Sequence, residues 1–122
     1  MTALQPITYR GQLAAVAGPD RFYLSERLDR LSAEHPERRM VIYMCLCAHE
    51  IATGTLPGPY SDTAARRYAR GCLLAPGLGE LLERDALDVP RVARVLGIPD
   101  DELHLAIDEY RERVERVSRP PT

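Results

Sequence analysis

The stretch that most constrains the fold is MVIYMCLCA, Met40 to Ala48. It lies inside a segment whose spacing predicts a helix from Pro36 to Ala52 or Thr53. Proline is tolerated in a first helical turn, and Gly54 ends the element. From Met40 onward nearly every face of this helix is apolar. A helix apolar all round belongs at the centre of a domain, covered on several sides. At nine residues the run is about half of what a membrane span requires.

The rest of the chain must supply that cover, and 122 residues suffice for one domain with a real core. Hydrophobic residues make up 45% and charged residues 28%, a globular composition. The net charge of -2 is too nearly balanced for a nucleic-acid or acidic-membrane binder. All 16 cationic side chains are arginine, the signature of a GC-rich genome. Residues 1–17 lack the basic start and apolar run of a secretory signal. The 3 cysteines, an odd number in apolar surroundings, read as reduced cytosolic thiols. The location expected is cytoplasmic, with no membrane partner.

Flanking segments read as a small antiparallel sheet and a set of helices. Ile7 and Tyr9 alternate with polar residues. Gln12 to Ala17 and Arg21 to Leu24 flank Gly18-Pro19-Asp20, a hairpin-like turn signal. Ser25 is placed to cap a short helix over Glu26 to Leu31. After the loop TLPGPY, Ser61 caps a helix that Pro76 should end at Ala75. A short helix is expected over Leu78 to Arg84. Asp88 caps another over Pro90 to Leu96, closed by Gly97 and Pro99. In the last helix Leu103, Ala106, Ile107, Tyr110, Val114 and Val117 form one stripe. The tail SRPPT should fray. The fold class expected is α+β: a small antiparallel sheet packed with five or six helices.

His49-Glu50, at the end of the apolar run, raises the question of chemistry. In the zinc-peptidase pattern HExxH, histidines at i and i+4 share a helical face and bridge a zinc ion, and the glutamate acts as general base on the metal-bound water. A third protein ligand comes from elsewhere. Here Thr53 stands at the second histidine position, and a neutral hydroxyl is a poor zinc ligand. A second arrangement pairs Cys45 with His49, also i and i+4, with Asp62 or Cys72 completing the set. Against it, a cysteine in an apolar run usually serves as a small hydrophobe. The plain structural reading is a hydrogen-bonded core histidine and a paired glutamate.

The order of segments narrows the choice. A small sheet, RFYLSERL, a helix ending CLCAHEIATG, a loop and DTAARRYARGCLLAP together resemble the ImmA/IrrE family of zinc-dependent endopeptidases. The resemblance covers roughly residues 7–80. It rests on Ala48-His49-Glu50, Ala65, Tyr68-Ala69 and Leu73-Leu74-Ala75-Pro76, with one residue more than the family spacing between the last two groups. It implies a single 122-residue domain with a zincin-like core over 7–80 and a helical extension over 81–118. It also implies a bacterial or phage setting and a protein partner, such as a helix-turn-helix repressor. The departures fall on the chemistry: Thr53 replaces the second histidine, and Ala64 precedes Ala65 where the family carries its acidic ligand, leaving only Asp62 nearby. The function expected is therefore that of a metal-free pseudoprotease that binds a regulator, with no cofactor. The rival is an active metallo-endopeptidase holding zinc through His49 and Asp62, or through Cys45 or Cys72, with Glu50 as base. Thr53, Tyr60 and Tyr68 are the partner contacts expected.

DVPRVARVLGIPDDELHLAIDEYRER also resembles a helix-turn-helix, which would make the chain a small DNA-binding regulator. Its second helix begins Asp100-Asp101-Glu102, carboxylates that suit a helix N-terminus and repel phosphate. Arg66, Arg67 and Arg70 read as a solvated helix face.

Overall fold

The computed structural model describes residues 4–83 and 88–118. Three strands, β1 (Gln5–Tyr9), β2 (Gln12–Ala17) and β3 (Phe22–Leu24), form an antiparallel sheet in the order β1-β2-β3. Five helices follow among the described residues: α1 (Glu26–Asp29), α2 (Pro36–Ala52), α3 (Asp62–Glu83), α4 (Val89–Leu96) and α5 (Asp100–Ser118). The α+β class expected from sequence is what the chain adopts. By compactness it divides into two units, residues 1–69 and 70–122.

In the first unit α2 packs across β1 and β2, and α1 packs on α2 and β3. Arg10 and Gly11 join β1 to β2 with φ of 53° and 75°, the left-handed pair that a two-residue hairpin turn requires. The register slips between Ile7 and Thr8, so that Ile7 pairs with Ala15 and Thr8 with Leu13. Ala14 is the extra residue of this bulge. Its carbonyl is not wasted, because it accepts the Ser25 N–H at 2.8 Å and ties the entry of α1 to the sheet. Ile7, Val41, Met44 and Cys45 are fully buried between sheet and helix. Ala65 and Ala69, one turn apart on α3, are fully buried as well.

Cover over α2 is broad but one-sided. Met40, Val41, Met44, Cys45, Cys47 and Ala48 are buried. Leu46 on the opposite face is 39% exposed, with Ile42 and Tyr43 half-buried beside it. A three-stranded sheet covers one side of a 17-residue helix and does not surround it. Apolar composition alone therefore overstated how central this helix is.

In the second unit α4 and α5 form a hairpin around Ala93, Ile98, Leu103, Ala106 and Ile107, with Leu73 of α3 against the same cluster. Asp88 caps α4 through the Arg91 N–H at 3.2 Å. Gly97 ends it at φ 73°, the left-handed position where glycine carries no Cβ penalty. The stripe on α5 holds as core through Ile107 and half-buried Tyr110, but Val114 is 46% exposed. The side chain of Val117, and the tail from residue 119, lie outside the described residues.

α3 differs from expectation. It runs unbroken through Pro76 to Glu83 instead of stopping at Ala75. Proline removes one backbone donor and crowds the preceding turn, at a cost of about 3 kcal/mol. A proline inside a helix is also compatible with a kinked but continuous element. Expected Arg84 of the short helix lies outside the described residues. α1 is also shorter than predicted, ending at Asp29 with Arg30 as its C-cap. No helix among the described residues is long and apolar enough to cross a membrane.

Candidate functional site

The C-terminus of α2 carries His49 and Glu50, both half-buried. Thr53 is the C-cap of the helix, at φ -90° and ψ -1°. Its N–H donates to the His49 carbonyl at 2.9 Å. Its hydroxyl turns back toward the same helix end, donating to the carbonyls of His49 at 3.0 Å and Glu50 at 3.3 Å. The N–H groups of Thr55 and Leu56 donate to the Glu50 carbonyl at 2.8 and 3.0 Å. These bonds satisfy carbonyls that any helix end leaves without an internal partner. Position 53 thus works as a helix terminator, its hydroxyl turned to the backbone carbonyls and lying 3.4 Å from the Thr55 hydroxyl.

Tyr60 and Asp62 are brought together. The Tyr60 hydroxyl donates to Asp62 Oδ1 at 3.2 Å. Burial pushes the Tyr60 phenol above its ordinary range, and the Asp62 charge and hydrogen bond, with Cys47 and Cys45 nearby, push it the same way. The phenol therefore stays protonated and acts as a donor to Asp62. Ser61, between them, accepts the Ala64 N–H at 3.1 Å and caps α3 as its sequence position predicts.

Tyr60 also lines a cleft of about 190 Å³ with Ala48, Ile51, Ala52, Ala17 and Pro19. Gln5 and Gly18 complete the wall. Neither His49 nor Glu50 is in that lining, because both sit round the helix from Ala48, Ile51 and Ala52. The cleft is thus a small, largely apolar recess with an amide and a phenol at its border. It suits an inserted apolar side chain better than acid–base chemistry.

The remaining candidate ligands divide by place and state. Cys45 is 1% exposed, and burial pushes its thiol up to about 12. The free thiol stays protonated at neutral pH and packs as a small hydrophobe. Cys72 is half-buried and belongs to the second unit. Tyr68 is half-buried and Thr53 exposed. Among the described residues no three His, Cys, Asp or Glu side chains are grouped so as to hold a metal ion.

The three arginines of α3 are not a uniform solvated face. Arg67 is exposed, but Arg66 lies over the Tyr9 ring at 5.8 Å from its centroid. Arg70 is 7% exposed. Its Nε donates to Glu109 at 2.6 Å and its Nη1 to Glu102 at 3.0 Å. The signal for this was present in the sequence: Glu102 and Glu109 are seven residues apart, on one face of α5 beside Leu103 and Ala106. Glu102 is therefore not part of a free acidic end, although Asp100 and Asp101 remain exposed. No family model, curated protein or solved structure matches this chain.

Proposed function

We propose that this chain is an ImmA/IrrE-like pseudoprotease: a cytoplasmic, metal-free, single-domain relative of those peptidases that acts by binding a protein, a helix-turn-helix repressor or a comparable regulator. The observation that carries the reading is Thr53. The residue at the second ligand position of the zinc-binding pattern spends its hydroxyl on the carbonyls of His49 and Glu50. A zincin-like core agrees with an antiparallel sheet packed on the helix that carries Ala48-His49-Glu50. The recess at Tyr60 offers a contact for a partner's apolar side chain. Binding and chemistry draw on partly separate groups, so a scaffold that loses its metal ligands retains the means to recognise a protein.

The test pairs the purified chain with the repressor encoded nearest to it, with zinc supplied. The expected result is a stable complex by size-exclusion chromatography and an intact repressor by mass spectrometry. Cleavage of the repressor, abolished in Glu50→Gln, would establish the active endopeptidase instead. Against the DNA-binding alternative stand Asp100 and Asp101, exposed at the N-terminus of α5, where phosphate would have to approach.

A further inference from the structure

A second cleft, of about 160 Å³, opens in the first unit beside the β1–β2 hairpin. Tyr9, Gln12, Ser25, Arg27, Leu28 and Glu37 are among its lining residues. Arg27 donates to Gln12 Oε1 at 3.1 Å and pairs with Glu37. Arg10 approaches the same carboxylate only to 3.9 Å, beyond hydrogen-bond range. Its guanidinium sits 5.8 Å from the centroid of Tyr9, the ring over which Arg66 also lies. The Arg66 Nε is buried and has no hydrogen-bond partner. Two guanidinium groups, those of Arg10 and Arg27, thus face the one carboxylate of Glu37. Two arginines against one carboxylate leave one positive charge in excess at this place.

The backbone adds a separate indication. Arg10 is the one non-glycine residue at positive φ among the described residues, at 53°. Asn, Asp or Gly is preferred at that turn position, and an arginine there is strained. A strained residue at a cleft is a pointer toward function. The Arg10 guanidinium comes to 3.9 Å from the Glu37 carboxylate that Arg27 also pairs.

We propose that this cleft binds a phosphate group, in exchange for part of the Arg27–Glu37 pair. The excess positive charge favours an anion, and a phosphoryl group carries about -1.5 to -2 at pH 7. Arginine forks fit its oxygens, and the Ser25 hydroxyl and Gln12 amide add neutral donors. The cleft is large enough for one phosphate group. Glu37 occupies the site in the absence of ligand and sets its affinity.

Calorimetric titration with inorganic phosphate, with a short phosphoserine peptide and with acetate tests this. Saturable binding of phosphate or of the phosphopeptide, well above acetate, is expected. Tighter binding of the peptide identifies a phosphorylated chain as the source, and equal binding identifies the free ion. Arg27→Gln should weaken binding by about tenfold or more, the loss expected for one charge-assisted hydrogen bond. Glu37→Gln should tighten it by about tenfold, because the competing carboxylate is gone. Arg10→Asn serves as the folding control: it places a preferred residue in the turn, so it should melt no lower than the parent chain while losing phosphate affinity. The proposal is overturned if neither phosphate ligand binds saturably to the parent chain or to Glu37→Gln. It is equally overturned if binding survives Arg10→Asn and Arg27→Gln unchanged.

Discussion

One helical turn from His49, the thiol of Cys45 would be the natural soft ligand for a metal at the end of α2. In this fold it is buried and packs as a small hydrophobe. Burial raises it from an ordinary value of 9.0 to about 12, and the same burial gives it a thermodynamic signature. Between those two values the unfolded chain releases the proton while the folded chain retains it. Rising pH therefore favours the unfolded state, and the stability tied to this thiol is fully present below pH 9 and lost progressively above it. Each retained proton corresponds to about 1.4 kcal/mol per pH unit. Tyr60 is displaced in the same direction and adds to the loss at higher pH. The urea midpoint should fall between pH 8 and pH 10.5, and should fall less steeply in Cys45→Ala. Parallel falls in the two proteins would show that Cys45 is not the titrating group. Thr53 was legible as a departure from the zinc-binding pattern, but its bonds to the helix end were not, because they depend on the turn at Gly54.

At the scale of elements, α3 and α5 carry the clearest energetic claim. Arg70 is nearly enclosed and holds two glutamates of α5. Removing Arg70 takes away the buried cation that both carboxylates face. Arg70→Ala should cost about 3–5 kcal/mol in chemical denaturation. Replacing Arg70, Glu102 and Glu109 together by apolar residues should recover most of that loss. A single-substitution cost below about 1 kcal/mol would place the cluster in the class of solvent-exposed ion pairs. The sheet, α2, the caps at Ser25, Ser61 and Asp88, and the stop at Gly97 were all readable, because each follows from local chemistry. The inward turn of Arg70 was half legible: spacing puts Glu102 and Glu109 on one face of α5, but only the fold brings Arg70 to them. Pro76 misled for a related reason. A local rule predicts a break, whereas the backbone carries the helix through.

For the whole molecule, the small sheet and α2 create two recesses on the first unit. One is largely apolar, at Tyr60. The other holds the Arg27–Glu37 pair, with Arg10 close by. Neither lining includes His49 or Glu50. Sequence placed attention on that dipeptide because a motif is visible in one dimension. The recesses join residues from separate strands and helices, and only the fold assembles them. The central claim is that this is a binding scaffold without metal chemistry. Its most direct test is elemental mass spectrometry on protein purified without chelator or affinity tag, beside His49→Ala. The account predicts no stoichiometric metal in either protein; about one zinc per chain, lost in His49→Ala, would contradict it.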